Sequence, residues 1–161
     1  MVAAVLFAVT VGLTASGAEI IDRILAVVDG AIIMQSDVTM AVRLGLVASA
    51  SAPDPITVPL EALIERRLIL EEVDRYAPPD PPDAQVDRQL DDIRARVGAR
   101  FETILAESGI SVDQLRRHVR DDLRIEAYLQ QRFGTMQPSA IRDWIAGLRR
   151  RANVNVLPRA Q

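Results

Sequence analysis

The sequence contains no cysteine, no lysine, a single histidine and few aromatic residues. Without cysteine the chain has neither a thiol nucleophile nor the ligands of a zinc ribbon. All 19 basic residues are arginine, a preference from which we derive no function. Aromatic residues make up only 4 % of the chain, so we expect a core built from Leu, Ile, Val and Ala.

The sequence also lacks the basic excess that is typical of a nucleic-acid-binding protein. Its formal net charge is −3. The one basic run, at residues 149–151, is predicted to lie in the last turn of a helix, where cations complement the helix dipole. We therefore expect no nucleic-acid partner.

No catalytic motif is recognisable, because the chain has no phosphate-binding loop, no Gly-rich dinucleotide fingerprint and no G-x-S-x-G. His118, Asp121 and Asp122 are spaced to share a helix face. A metal site would need a further ligand and an ordered second shell, so a solvated charged face is favoured. Asp91 and Asp92 are adjacent and point in different directions on a helix. We predict no catalytic residue, no metal and no cofactor.

The N-terminal residues predict export. An apolar run at 2–13 is followed by small residues, and Ser16 and Ala18 suit a signal-peptidase site with cleavage after Ala18. The run is short for a membrane span, but no basic residue precedes Arg23, so an uncleaved anchor is the alternative. We expect a signal peptide at 1–18, a periplasmic or other extracytoplasmic location, and no stable membrane insertion after cleavage.

The remaining residues, 19–161, have the length and composition of a single globular domain. Residues 21–28 predict a strand, and Asp29-Gly30 predicts a two-residue type I′ turn that places Val28 opposite Ala31 and Ala26 opposite Ile33. A two-stranded hairpin is marginally stable alone. The period-2 segment at 153–158 is therefore predicted to join it as a C-terminal strand.

Between these strands the sequence predicts about six helices. Apolar residues recur at helical spacing in segments near 36–47, 58–76, 83–97, 101–108, 112–133 and 138–151. The predicted N-caps are Ser36, Thr57, Asp83 and Ser111, the last in a capping box with Gln114. The fold class is thus mostly α with a small antiparallel β-sheet.

Two further features concern the later helices. On the fifth helix, Asp113 with Arg117 and Arg117 with Asp121 are predicted i,i+4 ion pairs. On the sixth, Trp144 falls at helical spacing and is predicted to be a core residue.

Four segments together resemble the SurA family of periplasmic chaperones. The opening IDRILAVVDGAIIMQSDV is similar to the family's first strand, short turn and helix start. Residues 60–70 resemble its second helix, residues 101–133 its short helix, turn and long helix, and residues 140–157 its C-terminal helix and strand. The resemblance covers nearly all of 19–161 and implies that the C-terminal tail folds back onto the N-terminal region.

The sequence departs from that family where it usually carries one or two parvulin-type prolyl isomerase domains. Only residues 134–137 separate the predicted fifth and sixth helices, whereas such a domain needs on the order of 100 residues. The resemblance therefore implies the chaperone core without the enzyme. The function it implies is an ATP-independent holdase that binds unfolded outer-membrane or secreted proteins. The alternatives are a peptidyl-prolyl isomerase with an unrecognised site and a dedicated envelope interaction subunit.

The first helix and the connection after it are the candidate client-binding surface. Met and Leu side chains form adaptable apolar surfaces. The candidate contacts are Met40, Leu44, Leu46, Val47 and Ile56. The alternative is that this helix face packs against the sheet or the long helices.

Overall fold

A computed structural model describes residues 22–49, 54–134 and 138–158, so the predicted signal peptide at 1–18 lies outside the described residues. The elements, in chain order, are β1 (Ile24–Val28), β2 (Ala31–Met34), α1 (Gln35–Arg43), α2 (Thr57–Tyr76), α3 (Asp83–Val97), α4 (Phe101–Ser108), α5 (Val112–Phe133), α6 (Pro138–Arg151) and β3 (Val154–Val156). A 3₁₀ turn, Gly98–Arg100, joins α3 to α4. The predicted class, mostly α with a small antiparallel sheet, is confirmed.

The sheet has the order β2-β1-β3, with β1 antiparallel to both neighbours. The predicted hairpin register is confirmed, because Val28 pairs with Ala31 and Ala26 with Ile33. Asp29 and Gly30 both have positive φ, 46° and 87°, as a type I′ turn requires. The central strand is covered on both faces, since neighbouring Leu25 and Ala26 are both buried.

β3 brings the C-terminal part of the chain back to the hairpin, as predicted. Ala26 pairs with Val156, and Val28 pairs with Val154. Outside the strand limits, the Asp29 amide donates to the Asn153 carbonyl at 3.0 Å, and the Leu157 amide donates to the Leu25 carbonyl at 2.9 Å. The third strand gives the hairpin the partner that it needs for stability.

The predicted cap at Ser36 is wrong. α1 begins one residue earlier, at Gln35, and the Asp37 carboxylate accepts a 2.8 Å hydrogen bond from the Met34 amide. Ser36 instead binds the Asp22 carboxylate through its hydroxyl and, at 3.1 Å, through its amide. Asp22 precedes β1, so this contact joins the two ends of the hairpin, which local sequence spacing does not reveal.

The first helix is also shorter than predicted. It ends at Arg43, because Gly45 adopts a positive φ of 67°. The Leu46 amide donates to the Ala41 carbonyl at 2.8 Å and the Gly45 amide to the Val42 carbonyl at 3.0 Å. These two bonds form a Schellman motif, which turns Leu46 and Val47 away from the helix axis.

Two more predicted N-caps are corrected, because Thr57 and Asp83 are the first residues inside α2 and α3. Pro82 precedes α3 and contributes no side-chain cap. The Asp54 carboxylate accepts from the amides of Ile56 and Thr57, each at 3.2 Å, and from the Thr57 hydroxyl. An acid three residues ahead therefore satisfies the amides at the start of α2.

The capping box of α5 is confirmed. The Gln114 amide donates to the Ser111 hydroxyl at 3.2 Å, and the Ser111 amide donates to the Gln114 side-chain oxygen at 2.7 Å. Gly109 ends α4 in the left-handed conformation. This short loop fixes the relative directions of α4 and α5.

The buried apolar residues form two clusters that meet at α1. The first joins the sheet, α1, α2, Tyr128 of α5 and Leu148 of α6. The second joins α1, α3, α4 and the first half of α5. Leu46 packs against both clusters. α2 therefore packs in the first cluster, whereas α5 packs in the second cluster with its first half and in the first cluster with Tyr128.

The predicted ion pairs along α5 do not form: neither Asp113 with Arg117 nor Arg117 with Asp121 is among the ion pairs of the described residues. The arginines of α5 reach neighbouring segments instead. Arg120 pairs with Asp83 of α3 at 2.8 Å, and Arg124 pairs with Asp74 of α2 at 2.9 Å. Asp121, the predicted partner of Arg117, lies instead 3.5 Å from Arg124 and 4.0 Å from Arg66, and Arg117 is exposed.

An aromatic cluster joins the ends of α2 and α5 to α6. Tyr76, Tyr128, Phe133 and Trp144 form successive ring contacts with centroid separations of 5.2–6.1 Å. The Arg132 guanidinium lies 5.4 Å from the Trp144 ring centre. Trp144 is half-buried and packs against the first core cluster, so it lies at the edge of the core rather than inside it.

In the part of the chain that the structure describes, no helix combines the length and the apolar character needed to span a membrane.

Candidate functional site

An open groove of about 560 Å³ lies between α2 and α5. Its lining is Leu46, Val47, Ala62, Glu65, Arg66, Ile69, His118, Asp122, Ile125, Glu126, Leu129, Gln130, Gly134 and Ile141. We call this surface the α2–α5 groove. Its volume lies within the usual range for ligand-binding clefts, roughly 300–1,000 Å³.

Helical spacing explains why these side chains meet. On α2, Ala62, Glu65, Arg66 and Ile69 recur at intervals of three and four residues, so they share one face. On α5, residues 118, 122, 125, 126, 129 and 130 do the same. The turn after α1 adds Leu46 and Val47, and the start of α6 adds Ile141 at one border.

The sequence-predicted contact residues divide into two groups. Met40 and Leu44 are 6 % and 0 % exposed and belong to the second core cluster, so they offer no surface to a client. For Met40 and Leu44, the alternative interpretation, that this helix face packs inside the protein, is correct. Ile56 packs against the first core cluster and does not line the groove. Leu46 and Val47 are half-buried and line it.

Sequence reasoning missed the apolar residues that α2 and α5 contribute. Ile125 and Leu129 lie off the stripe of α5 that packs into the second core, and they pack at the edge of the first. The sequence did contain a signal for these residues, since the apolar residues of α5 form two stripes rather than one. A second apolar stripe on a long helix indicates that the helix packs against another core or borders an open surface. The stripe with Ile125 and Leu129 does both, because these residues pack against the first core cluster and line the groove.

Arg66 fixes the geometry at one end of the groove. Its Nε lies 2.6 Å from Asp122 Oδ1, and its Nη2 donates to the His118 carbonyl at 3.1 Å. Asp121 is a more distant partner, at 4.0 Å. The Arg66 side chain is only 19 % exposed, so this half-buried pair holds α2 against α5.

His118 lies beside this pair rather than on a solvated charged face, which corrects the expectation from sequence. Its side chain is 18 % exposed, and Nε2 is 3.6 Å from Asp122 Oδ2. Burial, reinforced by the positive charge of Arg66, lowers the pKa of His118 to about 4, while Asp122 opposes the shift. At neutral pH the imidazole is therefore uncharged.

Among residues 22–49, 54–134 and 138–158, no group of three or more His, Asp or Glu side chains is arranged to hold a metal ion. The charges of the α2–α5 groove are instead paired across helices or exposed at its border. The groove can bury apolar side chains and hold polar or charged groups at its edge.

No protein-family model matches the sequence, and no curated protein matches it either.

Proposed function

We propose that this protein is an ATP-independent holdase that binds unfolded polypeptides in the α2–α5 groove. The observation that supports it is the groove itself: an open cleft of about 560 Å³ whose apolar lining comes from four separate parts of the chain. A site of this kind can bury a few large apolar side chains of an extended segment without reading its sequence closely.

Both walls of the groove pack against the first core cluster. Ile69 belongs to the first core cluster, and Ile125 and Leu129 pack against it. α2 and α5 are further joined by Arg66 with Asp122 and by Arg124 with Asp74. The groove is therefore largely formed before a client arrives, which reduces the entropy lost on binding.

The sequence supplies the rest of the proposal. The four segments that resemble SurA-type chaperones imply clients that are unfolded outer-membrane or secreted proteins, and the apolar N-terminal run implies a periplasmic site of action. We therefore expect N-terminal sequencing of the exported product to begin at Glu19.

The functional test uses light scattering from an unfolded outer-membrane β-barrel protein. The groove variant combines Ala62→Gln with Ile141→Gln. Both residues line the groove, and neither belongs to a core cluster, so folding should be preserved. Losing the contact of one large apolar side chain weakens binding by about 1.5–3 kcal/mol, which is roughly 10- to 100-fold in the concentration needed to suppress aggregation.

The matched control combines Ala95→Gln with Ile32→Gln. Both residues are exposed, on α3 and β2, and neither lines the groove. The control should suppress aggregation as the unaltered protein does. Equal activity of the two double variants, with unchanged circular dichroism, would refute the groove as the client site.

A panel of unrelated clients separates this proposal from its alternatives. A holdase should bind several unfolded β-barrel proteins at micromolar strength, whereas a dedicated interaction subunit should bind one folded partner and ignore them. A proline-peptide assay should show the uncatalysed rate of isomerisation.

A further inference from the structure

The border of the α2–α5 groove carries an excess of negative charge. Among the described residues that line it, Glu65, Asp122 and Glu126 are acidic and Arg66 is the one cation, so the four groups sum to −2. His118, the remaining titratable group of the lining, is neutral at pH 7 because its pKa is lowered to about 4. A client segment entering the groove therefore meets net negative charge beside an apolar surface.

Arg66 does not offset this negative charge for a client, because its guanidinium is already hydrogen-bonded within the protein. The Arg66 guanidinium is bound to Asp122 and to the His118 carbonyl at 2.6 and 3.1 Å. Its side chain is only 19 % exposed, so a client carboxylate could reach it only by displacing Asp122. An acidic client would thus meet repulsion without compensation.

Two carboxylates stand apart from that pair and lie on opposite helices. Glu65 on α2 and Glu126 on α5 are both exposed, and neither forms an ion pair with a described residue within 4.0 Å. Glu65 lies within electrostatic range of Arg149, but that guanidinium is hydrogen-bonded to Glu61. The two glutamates are therefore placed to receive cations from a segment lying in the groove.

We infer that the α2–α5 groove selects apolar segments flanked by arginine or lysine and disfavours segments flanked by acidic residues. The inference rests on the proposed function and names its substrate class. The apolar lining supplies most of the affinity, and Glu65 and Glu126 supply the charge preference. Such rim contacts act mainly on selectivity and are weakened by salt.

The test uses three fluorescent peptides with one shared apolar centre, flanked on both sides by Arg, Gln or Glu, and fluorescence anisotropy at low ionic strength. Each exposed pair contributes about 0.2–1 kcal/mol. The Arg-flanked peptide should therefore bind roughly tenfold more tightly than the Glu-flanked peptide, with the Gln-flanked peptide between them. The difference should shrink in 0.5 M salt.

The variant that tests the assignment combines Glu65→Gln with Glu126→Gln. It should lose most of the preference for Arg over Glu, measured as the ratio of the two dissociation constants. The matched control, Asp92→Asn with Glu102→Gln, removes the same charge from exposed sites on α3 and α4 outside the groove. It should keep the preference.

The outcomes are distinguishable. Failure of all three peptides to bind would overturn the proposed function itself. Equal binding of the Arg- and Glu-flanked peptides would overturn the charge preference alone. Loss of the preference in the control, or its survival in the Glu65 and Glu126 variant, would show that these two carboxylates are not its source.

Discussion

At the scale of single residues, the junction between α2 and α5 depends on Arg66. This side chain is half-buried, and it bonds both to Asp122 and to the backbone of the turn that carries His118. A charge-assisted hydrogen bond of this kind contributes about 1.5–3 kcal/mol. Arg66 therefore contributes to the junction together with the Arg124–Asp74 pair and the packing of both helices on the first core cluster.

His118 makes the stability of this junction depend on pH. Its folded pKa, about 4, lies below the ordinary value of 6.5, because burial and Arg66 disfavour the protonated form. The unfolded chain therefore binds a proton that the folded chain does not. The contribution to stability is intact above pH 6.5 and is lost progressively as the pH falls toward 4, by on the order of 2–3 kcal/mol.

The measurement is the free energy of unfolding, by denaturant titration between pH 7.5 and 4.5, for the unaltered protein and His118→Gln. The variant should lose less stability on acidification. Burial raises the pKa of Asp121, so its contribution to stability increases as the pH falls. Asp121 is present in both proteins, so this contribution cancels when their free energies of unfolding are compared. Parallel pH profiles would mean that His118 does not resist protonation.

At the scale of elements, the sequence predicted what is decided locally and missed what is decided by contacts across the chain. The Ser111–Gln114 box and the Asp29-Gly30 turn involve only near neighbours, and both are confirmed. Ser36 fails as a cap because Asp22, 14 residues earlier, binds it. Thr57 fails because Asp54 already occupies the cap role.

The C-terminal strand is the element whose role can be tested most simply. Hydrogen bonds at Asn153 and Leu157 flank Asn155, which pairs with Val27. In an antiparallel ladder bonded pairs alternate, so the Asn155 amide faces the Val27 carbonyl. Asn155→Pro removes this donor and should lower the free energy of unfolding by about 1–3 kcal/mol.

For a chain of this size, that loss corresponds to roughly 2–4 °C in Tm for each kcal/mol. The control is Asn155→Ala, which keeps the backbone donor and alters only an exposed side chain. Equal Tm values for the two variants would contradict the importance of this ladder. Because β3 follows α6 directly, we also expect the proline variant to loosen the border of the groove at Ile141.

At the scale of the whole molecule, the sequence predicted the pairing of the C-terminal strand with the N-terminal hairpin but not the position of the groove. Period-2 and period-3.6 patterns identify which residues prefer burial. They do not reveal which helix covers them. Met40 and Leu44 therefore resembled surface contacts until α3, α4 and α5 were placed over them, whereas Ile125 and Leu129 lie beside an open cleft.

The most direct test of the account asks where an unfolded client touches the protein. A photoreactive amino acid replaces either Gln130, an exposed residue that lines the α2–α5 groove, or Gln85, an exposed residue on α3 outside it. We predict that an unfolded β-barrel client is cross-linked from position 130 and not from position 85, and that excess apolar peptide abolishes the product. Equal cross-linking from both positions, or none from position 130, would contradict a client site in the groove.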